Sequence, residues 1–153
     1  MRRTHVMGWT LLWLVVVAGL TACASVGEPV KSAPSLYQRL GGREGIALVV
    51  DDFVANVVAD GRINRRFRAL QPPQVFKLRS NLADQICDAA GGPCAYLGRD
   101  MKTTHKGMQV TDAEWNATVE ALVKALDKYK VGVREQTELL NALASMKADI
   151  VGQ

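Results

Sequence analysis

From residue 36 onward the apolar side chains of this chain recur every three or four positions, in four long runs that glycine and proline cut apart. That period lines side chains along one face of an α-helix, and no stretch alternates convincingly with the period of two that marks a strand. Ile46, Val49, Val50, Phe53 and Val57 make the first run, between Gly41-Gly42 and Gly61. Ile63 to Phe67 reads as a short helical turn. Pro72-Pro73 restarts the chain, because proline suits a first helical turn. Val75, Leu78, Leu82 and Ile86 form the next stripe, which Gly91-Gly92-Pro93 breaks. After a glycine-containing stretch, Asp100 to Lys106 predicts a short helical segment. Thr111 to Glu114 spells a capping box, and behind it Trp115, Val119, Leu122 and Leu126 share one face. Leu139, Leu140, Leu143, Met146 and Ile150 form the last run. Four substantial helices and no strand predict an all-α domain.

The chain begins differently. Arg2 and Arg3 precede an uncharged, mostly apolar run from Gly8 to Leu20, followed by Leu20-Thr21-Ala22-Cys23. A basic start, a short apolar stretch and small residues at a cut predict a secretory signal over residues 1–22. The run is short for a bilayer span, which takes about 20 residues. Leu-Thr-Ala-Cys also resembles the lipobox of bacterial lipoproteins, where the cysteine is acylated and becomes the new N-terminus. Several acyl chains on Cys23 would anchor stably, where one alone binds reversibly. Ala24 after the cysteine resembles outer-membrane sorting in diderm bacteria. Ala24 to Pro34 is small, polar and proline-punctuated, a tether with a reach on the order of 20 Å. The expectation is a signal over 1–22, a lipidated tether over 23–34 and one domain over 35–153. The protein would then be exported and held on a membrane, on the periplasmic side.

Losing Arg2 and Arg3 lowers the formal net charge from +4 to +2. So small a surplus argues against nucleic acid as the partner, since phosphate binding usually needs a concentrated basic patch. Arg62, Arg65, Arg66 and Arg68 do cluster, and read as a solvated face. The cysteines are Cys23, Cys87 and Cys94. With Cys23 acylated, an even pair remains in an oxidising compartment, either bridged or as two free thiols.

His105 is the one histidine left once His5 goes with the signal. Imidazole is a good iron ligand because its neutral nitrogen offers a lone pair, and one axial histidine suffices for haem. By itself a solitary histidine is more often a packed or surface residue. Met101 lies four residues earlier on the same helical face, so the two cannot be opposite axial ligands; Met101 reads as a soft apolar contact.

Ser35-Leu-Tyr-Gln-Arg-Leu-Gly-Gly42, Val50-Asp-Asp-Phe53 and Val57-Val-Ala-Asp60 resemble, in residue type and order, group 1 truncated haemoglobins. So do Gly91-Gly92-Pro93, Tyr96, Gly98, Met101, His105, Gly107 and Thr111. The resemblance runs from about Ser35 to Val151. It implies a two-over-two helical sandwich around noncovalent haem b, with His105 as proximal ligand. It also implies that Phe67 stacks on the haem edge and Phe53 lines the pocket, with Met101 and Trp115 against or near the porphyrin. Covalent attachment of the c type is not expected, because no Cys-x-x-Cys-His occurs.

The chain departs from that pattern on the distal side. Val54 stands where typical members carry a tyrosine, and Leu78 and Leu82 align, counting back from Gly91, with positions often glutamine. An unusually apolar distal pocket follows, with Gln85 and Asn81 either replacement donors or solvent-facing residues. The function implied is binding of dioxygen, and so oxygen transport, or of nitric oxide or carbon monoxide, on iron whose sixth position is open or weakly held. One alternative is a nitric oxide dioxygenase or another haem redox enzyme, which would need an electron donor. No Gly-x-Gly-x-x-Gly nucleotide motif supplies one here. The other is a lipid-anchored helical interaction module that has abandoned haem.

Overall fold

The computed structural model describes residues 32–153, so the signal, Cys23 and most of the tether lie outside the described residues. Ala33 to Gln153 forms one unit. Its helices are α1 (Leu36–Arg39), α2 (Gly42–Ala59), α3 (Pro72–Ala89), α4 (Met101–His105), α5 (Asp112–Lys128) and α6 (Val133–Ala144). Two 3-10 turns, Asn64–Arg66 and Lys147–Asp149, complete the described elements, and a single parallel bridge joins Val110 to Val151. The domain is all-α. The pair α2 and α3 packs across α5 and α6 as a two-over-two sandwich.

Local chemistry starts and stops each helix. Ser35 caps α1 through a reciprocal pair with Gln38. Gly41 turns the chain at φ 85°, a left-handed conformation that a side chain would strain. Gly45 then passes so close to the Leu40 carbonyl that a Cβ there would sit 2.2 Å from the oxygen. Pro72 opens α3 and Asp100 caps α4, accepting from Thr103 N at 2.8 Å. The capping box at Thr111 and Glu114 forms as the sequence predicts.

α2 contributes Ile46, Val49, Val50, Phe53, Val54 and Val57 to the core and packs on both α3 and α5. On α5, Ala117, Ala121 and Ala125 are buried at spacings of four, and their small size lets α2 approach closely. Asn56 Nδ2 donates to the Ala121 carbonyl at 3.1 Å, and Lys128 pairs with Asp52 at 2.7 Å.

The last apolar run is not one helix. α6 stops at Ala144, and Met146 and Ile150 fall on either side of the 3-10 turn. The tail is drawn back instead against the segment after α4, where Gly152 N donates to the Val110 carbonyl at 2.9 Å. Apolar spacing continues across this change because the tighter turn still aims its side chains inward.

Glu114 ties the first turn of α5 to the turn after α2. Its carboxylate is nearly buried, accepts from Thr111 N at 2.9 Å, and pairs with Arg65 at 2.8 Å and Arg66 at 3.3 Å. The Thr111 amide and then the guanidinium groups hold its pKa down to about 2. A carboxyl depressed in the folded state stabilises above the ordinary glutamate range and loses that contribution as pH falls through about 2. Glu114→Gln is therefore expected to cost about 1–2 kcal/mol at neutral pH and to flatten the acid limb of thermal melts taken between about pH 5 and pH 2.

Candidate functional site

Between the helices lies a cavity of about 320 Å³, a size typical of small-ligand sites. Phe53 of α2 and Leu82, Gln85 and Ile86 of α3 form one side of its wall. Trp115, Thr118, Val119 and Leu122 of α5 and the C-terminal half of α6 form the other, with Met146 and Ile150 closing it from the tail. Met101 reaches in from α4. The wall is almost wholly apolar, and no side chain on it titrates near neutral pH.

α5 builds this wall with a second face. Its alanines at 117, 121 and 125 meet α2, while Trp115, Thr118, Val119 and Leu122, at spacings of three and four, turn to the cavity. α4 is held by what precedes it. The Tyr96 hydroxyl donates to the Arg99 carbonyl at 2.9 Å, and the Thr104 hydroxyl donates to the same carbonyl at 3.2 Å.

His105 ends α4, half-buried, with Nδ1 at 2.8 Å from the Met101 carbonyl oxygen. A carbonyl only accepts, so Nδ1 carries the proton and Nε2 keeps its lone pair. That arrangement fixes the tautomer and the ring orientation, as the hydrogen bond to the second nitrogen does in metal-binding imidazoles. Among the described residues no three histidine, cysteine or acidic side chains converge as a metal cage. A single imidazole beside an apolar cavity suits a metal that brings its own equatorial ligands.

Of the residues singled out from the sequence, Phe53, Leu82, Met101 and Trp115 lie on the cavity wall. His105 sits one helical turn beyond Met101 and is not itself on the wall. Val54 is buried in the core next to Phe53. Phe67 and Leu78 are partly buried against that core, and Asn81 is half-buried on α3. Gln85 does face the cavity, its Nε2 3.3 Å from Met101 Sδ and 3.2 Å from Met146 Sδ. Sequence reasoning did not single out Thr118, Asn141 or Ala144, whose polarity or small size carries no such signal.

Cys87 and Cys94 are joined in a disulfide with Cα atoms 5.8 Å apart, tying the last turn of α3 to the segment that leads to α4. Gly92 inside this loop fits because a Cβ would come within 2.5 Å of the Tyr37 ring and 2.6 Å of Cys87 Sγ. The basic cluster is largely neutralised: Arg62 pairs with Asp60 and Glu120, and Arg65 and Arg66 with Glu114.

The arrangement is that of a globin: a short helix bearing one oriented histidine beside an apolar pocket in a helical sandwich. The family model for bacterial-like globins matches residues 35–151, and the chain belongs to that family, with relatives that are group 1 truncated haemoglobins. It is 31% identical over 133 residues to the group 1 truncated haemoglobin LI410 of Chlamydomonas moewusii, covering 85% of this chain and 76% of that one. With the group 1 truncated haemoglobin GlbN of Mycolicibacterium paratuberculosis it shares 29% identity over 116 residues, covering 76% and 83%. The crystal structure of the Tetrahymena pyriformis truncated haemoglobin in its Fe(III) form superposes with a TM-score of 0.73 at 25% identity, covering 78% of this chain and all of that one. Membership carries haem-based gas binding as the general function, and the lone-pair nitrogen and apolar wall fit such a group.

The disulfide supplies a prediction. Cys94→Ser is expected to lower stability by about 2–3 kcal/mol, the loop-closure effect for so short a loop. Urea denaturation with and without a reductant measures it; reduction should change the wild type by that amount and leave the variant unmoved.

Proposed function

We propose that this globin holds haem b through Nε2 of His105 and binds a diatomic gas in the cavity beside it. The observation that carries the reading is the 2.8 Å contact from His105 Nδ1 to the Met101 carbonyl, which reserves the other ring nitrogen for a metal. When bound, haem supplies an iron with a coordination position for dioxygen, nitric oxide or carbon monoxide. The chain's own contribution is to orient the imidazole, present Met101 and Phe53 to the macrocycle and keep water away with Leu82, Ile86 and Leu122. Phe67 is proposed for the haem edge, and Val54 and Leu78 for the distal side, where they bring neither a hydroxyl nor an amide. The chain is further proposed to be an exported lipoprotein anchored through Cys23, with its redox partner, if it turns over, supplied from outside.

Binding is favoured over catalysis by the composition of the wall. General acid–base chemistry needs a titrating group within reach, and none of the wall side chains is one near neutral pH.

Hemin titrated into the purified chain should develop a Soret band at one equivalent, and His105→Ala should abolish the five-coordinate ferrous spectrum. A wild type that develops no globin spectrum overturns the reading. A second expectation follows from Val54 and Leu82. Bound dioxygen carries partial negative charge and gains about 1–3 kcal/mol from a good donor, whereas carbon monoxide gains little. Stopped-flow measurement should find dioxygen release about tenfold or more faster than in a globin whose pocket holds a tyrosine hydroxyl. Equally slow release that persists in Gln85→Met, which removes the amide donor facing the cavity, would contradict the placement of Val54.

A further inference from the structure

We infer that Gln85 is the donor that determines how tightly this pocket holds dioxygen relative to carbon monoxide, an inference that rests on the gas-binding reading above. Four wall residues carry a side-chain N–H or O–H: Gln85, Trp115, Thr118 and Asn141. The Thr118 hydroxyl is committed to the Glu114 carbonyl at 2.8 Å. Asn141, though on the wall, is exposed and so open to water. Gln85 is half-buried, and its amide nitrogen rests only on the sulfur atoms of Met101 and Met146, at 3.3 and 3.2 Å.

A thioether is a weak acceptor. An amide N–H held by sulfur loses little on turning to a stronger acceptor, whereas one held by a carbonyl would surrender a full hydrogen bond. Gln85 is therefore placed at the cavity with its donors in reserve. It also lies three residues after Leu82, on the same face of α3, so its long side chain serves the side of the pocket that Leu82 leaves apolar. Dioxygen, partly anionic when bound, accepts from such a group; carbon monoxide, nearly neutral, does so weakly. The amide thus discriminates between the two gases, and it does so from a position that a search for tyrosine at Val54 or glutamine at Leu78 and Leu82 passes over.

The test compares the haem-loaded wild type with Gln85→Met, which keeps length and loses the donors, and with Gln85→Leu, which removes the amide and offers no donor in any protonation state. Both should release dioxygen about tenfold faster, change carbon monoxide release by less than about twofold, and shift the carbon–oxygen stretch of bound carbon monoxide. Asn81→Leu removes the rival donor named from the sequence, which lies off the cavity wall, and should leave the stretch in place. A stretch and dioxygen rate unmoved in both Gln85 variants, or moved by Asn81→Leu instead, overturns the assignment to Gln85. A wild type that takes up no haem overturns the gas-binding reading itself, and a normal Soret band in every variant keeps the two failures apart.

Discussion

The close approach of α2 to α5 is the constraint on which the rest of the domain depends. α2 buries six apolar side chains and is packed on both sides, against α3 and against α5, so neither neighbour has a position independent of it. The alanines at 117, 121 and 125 make the approach possible by removing bulk along one line of α5. Larger residues along the adjacent line, Trp115, Val119 and Leu122, face a region that no helix fills. One helix with two differently sized faces thereby closes the core on one side and leaves a ligand-sized space on the other. Replacing an alanine with a larger side chain would force the helices apart, and overpacking of this kind costs about 1–3 kcal/mol.

The imidazole is positioned by a different set of interactions. α4 has five residues, too few to be stable by itself, and its place is set by the Asp100 cap, the Arg99 carbonyl shared by Tyr96 and Thr104, and the disulfide upstream. Its last residue then turns its own ring nitrogen back to the carbonyl one turn earlier. The result is a histidine whose reactive nitrogen is chosen by backbone geometry and not by a charged neighbour.

Much of this was legible in the residues. Helical spacing located α2, α3, α5 and α6, and Thr111 with Glu114 marked the start of α5 before any coordinates did. Among the residues the sequence singles out, Met101 lies on the cavity wall, and His105 follows it one turn later on α4. What periodicity does not reveal is which side of a stripe meets another helix and which meets a cavity. Leu78 and Leu82 look equivalent on the page, yet only Leu82 reaches the wall. Met146 and Ile150 continue an apolar pattern that predicts helix, although the chain there has already tightened into a 3-10 turn. Gln85 is legible in the sequence only as one of two candidate donors beside Asn81; what separates it from Asn81 is its place on the cavity wall and two sulfur atoms that lie 16 and 61 residues away in sequence.

The account stands or falls on the two nitrogens of His105. In chain labelled with nitrogen-15, the folded protein should show the proton on Nδ1, and loading with ferrous haem under carbon monoxide should shift Nε2 strongly while Nδ1 keeps its proton. A ring protonated on Nε2, or an Nε2 resonance indifferent to the porphyrin, would contradict it.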